Sequence, residues 1–303
     1  MKNMKKQAIA KTAVIASVLI LALSGGVSLY SSAKEGIQIE ETSLPAAAPL
    51  ASVPSAAPAV SEPAGGSVEL SADELAAIKQ SAPSAYEHNV SNYKEFLGTF
   101  DVHQTYRERL KASLLGGSKV PDLLTAYEFV YQQFGTYQDV EKLIAGRASG
   151  ESWRFLFRDY LEGEKGFVPR TFDPDYLESL RATPGITSDD IMIADQVSFK
   201  TGKSVQELIN NKIAGQDWKE QSASLGLVFS GKTLPRVSVT AQQLEQYTAS
   251  KKMTRDQAVK AIVLANKLGW QADDTVLKLL DGATDAALYE EAYTAKYGIT
   301  EQQ

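Results

Sequence analysis

The chain has 303 residues, with 31 Lys and Arg against 37 Asp and Glu, and it contains no cysteine. The missing thiols exclude disulfides, thiolate metal sites, cysteine nucleophiles and a lipid-modified N-terminal cysteine. The net charge of −6 argues against nucleic acid, whose binding depends on neutralising phosphates with Lys and Arg.

The first element in chain order is "MKNMKKQAIAKTAVIASVLILALSGGVSLYSSA". Lys2, Lys5, Lys6 and Lys11 precede an apolar run from Ala13 to Leu23, and small residues then lead to Ser31, Ser32 and Ala33. That order is the pattern of a secretory signal cut after Ala33, so export is expected. Left uncut, the uncharged stretch between Lys11 and Lys34 is long enough to cross a bilayer and would tether the chain to the outer face of the cytoplasmic membrane. Residues 1–33 hold four lysines and no acid, which leaves 27 basic against 37 acidic side chains, a charge of −10, on the exported part.

Residues 34–70 include "SLPAAAPLASVPSAAPAVSEPAGGS", with Pro45, Pro49, Pro54, Pro58 and Pro63 among Ala and Ser. Proline removes backbone donors and fixes φ, so this segment reads as a disordered linker, either a plain tail or a spacer that lifts the following domain off a membrane. Residues 71–303 then read almost entirely as helix. Ser71 and Glu74 form a capping box at the first helix. Val102, Tyr106, Leu110 and Leu114 make one apolar stripe ended by Gly116 and Gly117. Pro121 opens a helix with Leu123, Leu124, Tyr127, Val130, Tyr131 and Phe134 on its inner side. No stretch shows sustained period-two alternation, so the expected fold class is all-α.

Within this domain three divergent units are expected at about 120–163, 187–227 and 240–282. In the first, "GTYQDVEKLIAGRASGESWRFLFRDYL" places Leu143 and Ile144 ten residues before Trp153, with Gly150 and the cap Ser152 between. In the second, Ser204 and Glu207 open a helix whose Val205, Leu208, Ile209 and Ile213 face inward. Gly215 ends that helix, and Asp217 and Glu220 cap a short one that carries Trp218. The third has Thr240 with Gln243, Thr254 with Gln257, inward Ile262 and Leu268, then Gly269 and Trp270. All three tryptophans thus follow a glycine that ends the second helix of a unit. A ring there packs into the groove between the two preceding helices. Periods of this length signify stacked supersecondary units with a shared buried face.

The segment "TGKSVQELINNKIAGQDWKEQSASLGL" resembles a repeat of uncharacterised exported α-helical repeat proteins of spore-forming Gram-positive bacteria. The resemblance implies an exported helical fold and assigns no catalytic residue.

A search for chemistry finds no catalytic motif, no metal-ligand spacing and no cofactor-binding loop. His88 and His103 stand fifteen apart in no recognised ligand pattern. Asp189–Asp190 and Asp273–Asp274 lie where helices begin, a position that favours carboxylates through the free N–H groups and the helix dipole. In "WRFLFRDYLEGEKGFVPRTF", Arg154, Arg158, Lys165 and Arg170 sit among aromatics, and residues 86–172 hold 16 of the chain's 26 aromatics. This stretch is either a core stripe with a solvated basic face or a groove for an envelope protein or an anionic wall polymer. The expected function is an exported, non-enzymatic interaction or structural protein of the cell envelope, with the membrane touched only through an uncleaved N-terminus and no nucleic acid bound. A helix-turn-helix reading of residues 205–226 is set aside because of export and acidity. The alternative function is a cell-wall hydrolase, or an accessory of one, with carboxylates drawn from different units.

Overall fold

The computed structural model describes residues 18–23, 26–30, 68–250 and 253–298. The cleavage site expected at Ala33 and most of the proline-rich linker lie outside the described residues. In chain order the helices are α1 (Ala72–Ser81), α2 (Tyr86–Thr99), α3 (Gln104–Leu115), α4 (Val120–Gln132), α5 (Tyr137–Ala148), α6 (Trp153–Gly163) and α7 (Pro174–Ala182). They continue as α8 (Ser188–Thr201), α9 (Val205–Ile213), α10 (Trp218–Ser224), α11 (Ala241–Glu245), α12 (Arg255–Leu268), α13 (Ala272–Leu280) and α14 (Asp285–Tyr297). The fold is all-α, and the caps explain where its helices start. Capping boxes close at Ser71/Glu74, Thr136/Asp139, Thr187/Asp190, Thr240/Gln243 and Thr254/Gln257, each satisfying backbone N–H groups that have no intrahelical acceptor. At α9 only half of the expected box forms. Ser204 accepts from the Glu207 N–H at 3.1 Å, while the Glu207 side chain turns to Lys203 at 2.9 Å.

Three details depart from the sequence reading. The packed part begins before residue 71, because Val68 and Leu70 lie against the core and Arg107 donates to the Glu69 carbonyl at 2.6 Å. Ile213 is 53% exposed instead of facing inward, since it is the last residue of α9 and the chain turns away at Gly215. A short strand β3 (Arg236–Val239) also exists, with Val237 and Val239 buried and Arg236 and Ser238 exposed. Four residues are too few for period-two alternation to stand out in a sequence window. Strands β1 (Val18–Leu23) and β2 (Gly26–Tyr30) complete an antiparallel sheet in the order β2-β1-β3. Among the described residues, no helix is long and apolar enough to cross a membrane.

Helix α4 is the centre of the largest core. Every residue from Leu123 to Val130 is buried, including Thr125, Ala126, Glu128 and Phe129, which lie off the stripe expected from sequence. A helix buried all round needs cover on every side. The last side is supplied by α14, which returns from the far end of the chain to pack on α4 and α6. Phe129 stacks on Phe157 at 4.1 Å, Trp153 stacks on Phe157 at 5.2 Å, and Tyr289 meets Phe129 edge-on at 5.1 Å. Glu128 holds the end of α14 by accepting from Lys296 at 2.7 and 2.9 Å and from the Tyr297 hydroxyl. Burial first, and then the Glu128 carboxylate, push the Tyr297 hydroxyl far above the ordinary phenol range, so it stays protonated and can donate.

The indoles fall into two kinds. Trp153 and Trp218 are the first residues of α6 and α10 and are 8% and 0% exposed. Each is held by a cation six residues earlier and an aspartate at the third position of the preceding long helix. Lys212 lies over Trp218 at 5.9 Å and 3.6 Å from Asp190, while Arg147 lies over Trp153 at 5.3 Å and 3.5 Å from Asp122. The Trp218 indole N–H also donates to Asp190 at 2.7 Å. Gly150 and Gly215 make the intervening turns with φ of +95°, a conformation that favours glycine. Trp270 differs. Gly269 is itself the cap of α12, Leu264 occupies the position of the cation, and Trp270 precedes the N-cap of α13 and is only half-buried. Residues 135–137 and 226–228 are joined directly: Tyr137 N–H donates to the Gly226 carbonyl at 2.9 Å, and Val228 N–H donates to that of Gly135 at 3.1 Å.

Asp190 ties these features to stability. Its burial opposes ionisation, but the Thr187 hydroxyl and amide, the Trp218 N–H and Lys212 outweigh burial and hold its carboxyl below the ordinary 3.8. A carboxyl depressed on folding adds stability that is fully present above its unfolded value and is lost as pH falls through the folded one. Asp190→Asn should therefore cost about 1–2 kcal/mol at neutral pH in urea unfolding. The gap to the parent should close in acid below the carboxylate range; a gap of constant size at all pH values would contradict the assignment.

Candidate functional site

The four cations of the aromatic-rich basic stretch, which the sequence reads as either a solvated basic face or a groove, are divided among different partners. Arg170 is a latch. Its backbone N–H and Nε donate to the buried Asp195 at 3.0 and 2.6 Å, and its Nη2 donates to Ser198 at 2.8 Å. With Lys200 paired to Glu164 and Phe167 edge-on to Phe199 at 5.4 Å, it straps the segment between α6 and α7 across α8. Lys165 stands exposed in that segment with no ion pair to a described residue. Arg154 and Arg158 remain on the outer face of α6. Arg154 pairs with Glu290 of α14 at 3.0 Å, and the Arg158 guanidinium lies 4.9 Å over the Phe155 ring. Of the aromatics in this stretch, Trp153 and Phe157 point into the core and Phe155 points out, 44% exposed. The groove alternative thus reduces to one aromatic–guanidinium pair on a single helix face.

That face continues onto α13, which sequence inspection treated as a repeat element and not as a surface. Three depressions adjoin α13. The largest, about 1080 Å³, lies between α13 and α14 and is bordered by Arg154, Lys278, Asp281, Glu290 and Glu291. A second, about 560 Å³, lies among α6, α12 and the α13–α14 turn. A third, about 540 Å³, is bordered by Trp270, Gln271, Asp274, Leu277 and Lys278. Leu277 and Leu280 project from α13 with 47% and 45% exposure. The sequence signals only half of this surface, because Leu277 lies off the stripe of Thr275 and Val276 whereas Leu280, four residues after Val276, would be placed on it.

The charges on this face largely cancel. Arg154 meets Glu290 at 3.0 Å, Lys278 meets Glu291 at 2.7 Å, and Lys260 meets Asp285 at 2.8 Å. Lys278 also covers the Trp270 ring at 5.4 Å. The carboxylate pairs singled out in the sequence are used structurally. Asp190 completes a capping box, Asp189 pairs with Arg236, and Asp273 accepts a hydrogen bond from Tyr247. Burial first, with Asp273 adding to it, pushes the Tyr247 hydroxyl up to about 12. His103 caps α3 by accepting from the Thr105 N–H at 3.2 Å and meets Glu220 at 3.2 Å, whereas His88 contacts Asn92 on its own helix. Burial pushes the Lys267 amine down to about 8 against the pull of Asp285, yet that lysine lines none of the three depressions.

No protein-family model, no curated protein and no solved structure matches the chain.

The division of the four cations can be checked by stability. Arg170→Ala keeps the backbone donor to Asp195 but leaves that buried carboxylate without its cation, and should cost about 2 kcal/mol in urea unfolding. Lys165→Ala should stay within about 0.5 kcal/mol of the parent. Equal costs would place Lys165 and Arg170 in one functional cluster after all.

Proposed function

We propose that the chain is an exported, non-enzymatic interaction protein of the cell envelope, and that the face around α13 holds a protein partner. The observation that carries this is the grouping of Leu277 and Leu280, 47% and 45% exposed, with the part-buried Trp270 beside shallow depressions. Monomeric soluble surfaces scatter exposed apolar groups singly, so two leucines on one short helix with an indole just ahead of it fit a contact surface. Aromatic and leucine anchors inside a polar rim also fit the anatomy of protein interfaces. Export rests on the basic, apolar and small-residue order of residues 1–33, and cleavage after Ala33 would remove β1 and β2 and leave β3 without the strand it pairs with in the full chain.

A protein fits this face better than an anionic wall polymer. A polyanion needs unpaired cations, and Arg154, Lys260 and Lys278 are each already matched by a carboxylate of the same chain. The same pairing weakens the hydrolase reading, since Glu290 and Glu291 face cations at 3.0 and 2.7 Å instead of standing free for a substrate. We further propose that 120–163 and 187–227 are copies of one pattern, supported by the matching cation, aspartate and indole in each, and that 240–282 is a drifted third copy. The drift is what leaves Trp270 part-exposed.

Crosslinking in intact cells, followed by identification of the captured protein, tests the reading. The mature chain should begin at Lys34, and Leu277→Asp should weaken capture of the identified partner at least about tenfold, about 1.4 kcal/mol. Capture undiminished in that variant would remove the α13 face as the binding surface, and an intact N-terminus on cytoplasmic protein would remove export.

A further inference from the structure

Arg158 is the exception among the cations of this face. It lies against Phe155 and, among the described residues, has no carboxylate within ion-pair distance, and Glu162, one helical turn later and also exposed, has no cation among them. Both border the 560 Å³ depression, whose lining includes Leu161, Met253, Leu280 and Ala283. Phe155, Arg158 and Glu162 fall at i, i+3 and i+7, so they form one outward stripe on α6, with the two charges about 6 Å apart along the axis. An i, i+4 pair with the cation N-terminal to the acid has the less favourable order on a helix, which agrees with the two side chains standing apart.

A cation and an acid one turn apart, both unmatched, call for an acid and a cation one turn apart running the other way. The outer stripe of α6 itself meets that requirement when turned about a twofold axis. We propose that this face pairs with a second copy of the chain, α6 antiparallel to α6, with Arg158 opposite Glu162 of the second copy and the reverse. The contact is self-complementary, as a twofold interface must be. Phe155 and Leu280, 44% and 45% exposed, supply apolar surface flanking the two ion pairs. Leu280 belongs to both this surface and the partner face above, and Leu277, which lies outside this depression, separates the two readings.

Sedimentation equilibrium of the purified chain over a wide concentration range tests it. A reversible monomer–dimer equilibrium is expected. Arg158→Glu and Glu162→Arg alone should each weaken it by at least about tenfold, because each reversal sets like charges against each other twice. The double variant Arg158→Glu/Glu162→Arg should restore it to within about threefold, an outcome only reciprocal pairing produces. Both side chains are exposed, so far-UV circular dichroism and the urea midpoint should not change in any variant. Leu277→Asp should leave the dimer intact, which separates this inference from partner capture. A monomer at all concentrations, a dimer indifferent to the single reversals, or a double variant as weak as the singles would each overturn the proposal.

Discussion

The fold depends on a small knot of groups at each of two helix junctions: an indole at the first position of a short helix, a cation six residues earlier over its ring, and an aspartate that meets the cation. At Trp218 the knot is complete, because Asp190 also accepts the indole N–H and closes the capping box with Thr187. One carboxylate therefore starts α8, orients the ring that starts α10 and anchors Lys212 from α9. A buried indole is tolerated only when its N–H has an acceptor, and a buried carboxylate only when its oxygens have donors. Each group here meets the other's need, so three short helices that are individually marginal in water are fixed together.

A second constraint acts over the whole chain. Helix α4 is buried all round, and a polar Glu128 on its covered side is acceptable only because Lys296 and Tyr297 arrive to hydrogen-bond it. The last helix is thus part of the first unit's core, with Tyr289, Tyr293 and Tyr297 in one ladder along its buried face. The consequence reaches the surface, since bringing α14 beside α6 sets Arg154 against Glu290 and creates the depressions that border α13.

What could be read in the sequence is what local rules determine. Ser, Thr and Asp caps, glycine stops and four-residue apolar spacing located most helices, and the ten-residue interval from Leu143–Ile144 to Trp153 and from Leu208–Ile209 to Trp218 located the indoles. Non-local contacts were not legible. Nothing near Phe129 or Glu128 signals that residues 160 positions away will cover them, and nothing near Arg170 shows that Asp195 will claim it. The basic stretch therefore leaves a core stripe and a groove both open in the sequence, and the structure puts Trp153 and Phe157 inside with Arg154 and Arg158 on the outer face of α6. Trp270 shows the reverse failure. A shared position after a glycine suggested a shared burial, but without a cation at the place of Leu264, and with the ring ahead of the cap, the local geometry differs.

The different geometry at Trp270 is also what leaves the molecule a candidate surface. Where the knot is intact the indole is spent inside; where it is missing, the indole, Leu277 and Leu280 are left partly uncovered on a short helix with balanced charge. Structure and proposed function thus rest on the same distinction between Trp218 and Trp270. Tryptophan fluorescence of variants that keep a single indole, with acrylamide as quencher, measures it directly. The account predicts blue-shifted, quencher-resistant emission from Trp218 and red-shifted, readily quenched emission from Trp270. Equal accessibility of the two rings, or a Trp218 as open to acrylamide as Trp270, would contradict it.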